Sequence, residues 1–91
     1  MLEVGEVIGK ARGYLTEVVP DFAKLQPKVE EIVLSPETSI WKITFLAQSP
    51  SFTLKAESLA DLLSNARTIE KVVDVRADDG SLVAVRNPFS N

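Results

Sequence analysis

The 91-residue sequence predicts an α+β domain: an N-terminal helix packed on a four- or five-stranded, mainly antiparallel sheet, with a short second helix. Three observations carry this expectation. Residues 2–19 place apolar side chains at helical spacing, and IWKITFLA (40–47) alternates Trp41, Ile43, Phe45 and Ala47 with Lys42 and Thr44. Asp78-Asp79-Gly80 separates two β-rich runs, and Asp-Gly in that setting is a strong short-range hairpin signal. The resulting order is α-β-β-β-α-β-β, with hairpin connections and helices on one face of the sheet.

The elements follow from local chemistry. With Val4 as origin and about 100° per residue, Val7, Ile8, Ala11, Leu15 and Val18 fall within about 60° of it, a core-facing stripe. Glu6 and Lys10 form an i,i+4 pair on the other side. Pro20 ends the pattern because it lacks an N–H and disfavours a helical conformation before it. Residues 21–27 read as a connector with Phe22 and Leu25 as anchors. VEEIVLS (29–35) reads as a strand, and SPETS (35–39) as a tight turn with Pro36 preset for it. Residues 40–47 complete the hairpin.

Pro50 marks a turn over 48–51. SFTLKA (51–56) alternates Phe52, Leu54 and Ala56 against Thr53 and Lys55, a short third strand. Ser58 and Asp61 stand at capping-box spacing, and Leu59, Leu62, Leu63 and Ala66 follow at helical spacing, ending over 65–68. KVVDVRA (71–77) and SLVAVRN (81–87) form the last hairpin, and 88–91 read as a flexible tail. The expected core contains Val4, Ile8, Leu15, Ile32, Trp41, Ile43, Phe45, Phe52, Leu54, Leu62, Val73 and Val75.

Composition narrows the function. One domain spanning 1–91 is expected at this length. The chain has no cysteine, which removes disulfides, thiolate metal sites and cysteine nucleophiles. It has no histidine, the usual general base and metal ligand. No apolar run approaches a membrane span and no signal-peptide pattern opens the chain, so the expected compartment is the cytoplasm. A net charge of −3 disfavours nucleic-acid binding.

Few residues point to chemistry. Glu30 and Glu31 are adjacent on a strand, so simple alternation sends them to opposite faces. Asp78-Asp79-Gly80 leads straight into a strand and reads as a turn, not a cation loop. Serine catalysis without histidine would need a lysine base, and no motif places a serine beside Lys42, Lys55 or Lys71. The glycines do not follow a strand, so phosphate-loop logic does not apply.

Two surfaces remain as candidate interaction sites. If Trp41, Phe45, Phe52, Val73 and Val75 point inward, then Lys42, Thr44, Thr53, Lys55, Asp74 and Arg76 point outward. Arg86 joins them if Val83 and Val85 point inward. This collects cations on one face, suited to an acidic protein or peptide. The strand aromatics belong to the inward set, unlike those of an RNA-binding sheet. The second surface is the row Gly5, Gly9 and Gly13, which lies beside and behind the apolar stripe. Each helix-interior glycine costs ~1 kcal/mol relative to alanine, and the row offers close approach to another chain.

The N-terminal helix, the hairpin VEEIVLSPETSIWKITFLA and the closing unit KVVDVRADDGSLVAVRN together resemble PepSY-type and cystatin-like small domains. Gas vesicle accessory proteins of the O type look similar, with a closing strand ending in Asp-x-Asp-Gly or a near equivalent, matched here by Asp74 to Gly80. Residues 50–69 have no counterpart in that pattern. The resemblance implies a binding or inhibitory module. The reading is therefore a non-enzymatic protein-interaction or regulatory module, without cofactor or metal, whose partner is another protein or itself as a homodimer. Nucleic acid and membrane are not expected partners. The alternatives are a small-ligand carrier with a pocket between helix and sheet, and a carboxylate- or lysine-dependent enzyme.

Overall fold

The computed structural model describes residues 2–49 and 67–88. Helix α1 (Val4–Val18) is followed by a single helical turn, α2 (Pro20–Ala23). Four strands follow: β1 (Lys28–Ser35), β2 (Ile40–Ser49), β3 (Arg67–Arg76) and β4 (Leu82–Arg86). They form one antiparallel sheet in the order β1-β2-β3-β4. The fold is α+β, as the patterning predicts. The expected strand at 51–56 and the helix from Ser58, with Phe52, Leu54, Lys55 and Leu62, lie outside the described residues, as do residues 89–91.

The core sits between α1 and one face of the sheet. Val7, Ala11 and Leu15 of the helix meet Ile43, Phe45 and Ala47 of β2 and Val73 and Val75 of β3, all buried. Phe22 of α2 closes one end of this cluster, with Leu25 packed against it. The stripe is shorter than the helical wheel suggests. Val4 and Val18, the first and last residues of α1, are 43% and 50% exposed. At a helix end no further turn of side chains covers such a position, so Val4 leaves the expected core.

Three further boundaries differ from expectation. The 21–27 connector is shorter, because Pro20 sits at the first helical position and starts α2, a place that suits its missing N–H. β2 runs on to Ser49 where a turn was expected, and β3 starts at Arg67 instead of Lys71. The two extensions pair with each other, Ala47 with Ile69, Gln48 with Thr68 and Ser49 with Arg67. Each supplies the ladder partners the other needs.

Both hairpin turns use the same device. In each, the N–H of the fourth turn residue donates to the carbonyl before the turn: Ser39 to Ser35 and Gly80 to Arg76, both at 2.9 Å. That fourth residue is left-handed, with φ 55° at Ser39 and 76° at Gly80. Asp79 tightens the second turn by accepting the Ser81 N–H at 2.9 Å. This bond, aided by the nearby Arg76 charge, holds the Asp79 carboxyl below its ordinary pKa. The turns are also joined, Ala77 N–H to the Ser39 carbonyl and Leu2 N–H to the Ala77 carbonyl.

Gly80 meets a second demand. The side chains of Lys10 and Leu2 lie where its Cβ would be, and the Tyr14 hydroxyl donates to its carbonyl. Ser39 bears the left-handed strain with an ordinary side chain, at about 1–2 kcal/mol. Ser39→Gly is therefore expected to stabilise the domain by about 0.5–1 kcal/mol after the unfolded-chain entropy of glycine is subtracted. The urea midpoint should rise with an unchanged slope.

Candidate functional site

The two surfaces singled out in the sequence lie on opposite sides of the molecule. The buried residues of α1 centre on Ala11, and Gly5, Gly9 and Gly13 project from the far side of the helix. All three are exposed, and a Cβ built on any of them meets nothing within 4 Å. The row faces away from the sheet. Lys42, Arg76 and Arg86 occupy the sheet face away from α1, alternate with the buried Ile43, Val73 and Val75, and so cannot join the glycines in one site. Lys55 lies outside the described residues.

Register assembles the sheet face away from α1, called open here because no helix among the described residues packs on it. In successive rows across the strands it carries Ser35, Ile40 and Arg76; then Val33, Lys42, Asp74 and Ala84; then Glu31, Thr44, Val72 and Arg86; then Lys28, Leu46 and Glu70. The face is mixed, with Val33 43% exposed among charged neighbours and Val72 almost fully buried between Thr44 and Arg86.

Two bulges correct the alternation. Glu30 is the extra residue between the paired Val29 and Glu31. A bulge sets two residues opposite one, and the Glu30 carboxyl reaches the Glu70 carboxyl across β2, on the same face as Glu31. Glu30 and Glu31 are thus not on opposite faces. Val83 is the extra residue of β4; it is 45% exposed instead of pointing inward, whereas Val85 pairs with Val73 on the core side. Arg86 still reaches the open face, because the bulge lies before Val85.

The charges are organised differently from a uniform basic patch. Arg86 Nε donates to Asp74 Oδ2 at 2.8 Å, and Asp74 stands in register between Lys42 and Ala84. Lys71 is on the helix side of the sheet, opposite Phe45, and its Nζ donates to Asn87 Oδ1. At the other end of the open face, desolvation, the Glu70 charge and a hydrogen bond to Glu70 together raise the Glu30 pKa above its ordinary value of 4.5.

A raised native pKa means that the folded state binds this proton more tightly than the unfolded chain. Its stabilising contribution is complete below the ordinary carboxylate pKa and is lost as pH rises through the raised value. Glu70→Gln is therefore expected to raise the urea midpoint at pH 7, with the gain over wild type shrinking as the pH is lowered to 4.

The helix–sheet interface itself is filled by Val7, Ala11, Leu15, Ile43, Phe45, Val73 and Val75. Open clefts lie at its margins. One of about 430 Å³ lies beside Arg12, Thr16, Ala23 and Pro27, where Arg12 donates to the Pro27 carbonyl at 2.7 Å and stacks 5.3 Å above the Phe45 ring. Another, of about 640 Å³, lies beside Val18, Phe22, Leu25 and Lys71. Among the described residues no three acidic, histidine or cysteine side chains are grouped to hold a metal ion, and no helix is long and apolar enough to cross a membrane.

Comparison with known protein families, with curated proteins and with solved structures finds no match for this chain. Its functional reading therefore rests on the surfaces above.

Proposed function

We propose that this chain is a non-enzymatic protein-interaction module whose contact surface is the open face of the sheet. The observation that carries the reading is the composition of that face. Val33, Ile40, Thr44, Leu46 and Ala84 are interleaved with Lys42, Arg76, Glu31 and Glu70. A surface of apolar patches ringed by charge is what a protein partner buries. The filled helix–sheet interface favours this reading over a carrier with an internal pocket.

The test is a photo-crosslinking residue placed at Val33 in the full chain, expressed in its own cell, with the same residue at Gly9 as comparison. Covalent protein adducts at Val33 and not at Gly9 are the expected result. Adducts confined to Gly9, or none at either position, would overturn the reading.

A further inference from the structure

The open face is electrically polarised along the strands. Towards the turn ends of the sheet stand Lys42 and Arg76, and the carboxylate there, Asp74, is paired with Arg86 from the next row. Towards the other end and the β1 edge, Glu30, Glu31 and Glu70 outnumber Lys28. Between the two ends lie Thr44 and Val72, in the row that has Glu31 at the β1 edge and Arg86 at the β4 edge. Glu37, Asp78 and Asp79 belong to the turns, beyond the strand ends.

Such a face complements its own reverse. We propose that it docks against the same face of a second copy of this chain, the two sheets stacked so that the basic end of each covers the acidic end of the other. A two-fold axis lying between the sheets and running across the strands produces this overlay. The same axis turned along the strands would lay each end over itself, net-positive end on net-positive end, although Lys42 would then face Asp74. A two-fold contact is isologous, so one self-complementary surface suffices.

Area and geometry agree. The strands contain 8, 10, 10 and 5 residues. At ~3.4 Å rise and ~4.8 Å spacing, the face projects about 540 Å² on each copy. Side-chain relief adds to this, so the pair buries more than about 1,100 Å², above the ~1,000 Å² expected of a specific interface. Two facing sheets also pack in a standard aligned arrangement ~10 Å apart.

The partner's charge meets a local need as well. Glu30 and Glu70 hold their carboxyls against each other, which costs free energy while both are ionised. In the overlay, Lys42 and Arg76 of the second copy approach that pair and offset the repulsion.

This inference rests on the interaction reading above and names its partner. It is tested with the purified full-length chain by sedimentation equilibrium, using Lys42→Glu, Glu70→Lys and their equimolar mixture. Wild type is expected to dimerise, more weakly as salt rises. Each reversal alone should weaken association at least about tenfold, since it sets like charges opposite each other. The mixture should recover the dimer, because each variant then faces its complement at both ends. Circular dichroism and thermal melts keep a folding defect distinct, and Glu70→Lys removes the carboxyl repulsion and should not lower the melting temperature. A monomeric wild type overturns the inference, as does a dimer indifferent to both reversals or one the mixture does not restore. If the purified chain is monomeric while Val33 still captures other proteins in the cell, self-docking fails and the interaction reading stands.

Discussion

Replacing Phe45 with alanine should cost the domain about 3–5 kcal/mol, the range for emptying a fully buried aromatic site. Phe45 is 0% exposed and lies at the centre of the contact between α1 and the sheet. The backbone at this position is pinned on both sides, to Val29 of β1 and Lys71 of β3. The sheet therefore cannot close the void by moving one strand. The Arg12 guanidinium also loses the ring it stacks on. A domain of this size has about 5–10 kcal/mol in total, so the variant should stand near its unfolding threshold at 25 °C. The single tryptophan, Trp41, packs half-buried against the same core and reports the transition by its fluorescence. A loss under about 1 kcal/mol would mean that Phe45 does not fill the core as described.

The opposite effect is expected at the glycine row. Changing Gly5, Gly9 and Gly13 together to alanine should stabilise the domain by about 2–3 kcal/mol, since each exchange removes unfolded-chain entropy and improves helix propensity. Nothing stands within 4 Å of the three added Cβ atoms, and none of the three glycines has a positive φ, so no steric term opposes the gain. Gly9 and Gly13, in the helix interior, contribute most of it. For a chain this short the melting temperature should rise by roughly 10–20 °C. Association should be unchanged, because the row and the proposed docking face are on opposite sides. A variant that gains stability but loses its partner would move the contact surface from the sheet to the helix.

Much of the fold was legible because it depends on period and on turn chemistry. Trp41, Ile43 and Phe45 alternate with polar residues, and the strand follows. Gly80 marks a left-handed position, and Phe22 lies where an anchor was needed after Pro20. The two bulges were not legible. An extra residue in a strand shifts the side-chain phase by one, and neither Glu30 nor Val83 carries a compositional mark of that shift. Thr68 reads as the end of a helix, and Ile69 and Glu70 fall before the expected strand, because their strand character comes from the partner strand, a tertiary effect that local propensity does not record.

The candidate surface was half legible. Alternation placed Lys42, Asp74, Arg76 and Arg86 on one face, as the pairing has it. Its polarity required the register. Only the alignment of β1, β2 and β3 brings Glu30 to Glu70 and sets both away from Arg76.

The absence of cysteine from the sequence permits a direct test of where the chain is covered in the cell. Single cysteines at Val33 and at Gly9 report the sheet face and the helix face separately, and their alkylation rates in intact cells can be set against those of the dilute purified protein. Slower alkylation at Val33 in the cell, with Gly9 unchanged, is the result predicted by a contact surface on the open sheet face. Equal rates at Val33 in both settings, or slowing at Gly9 alone, would contradict it.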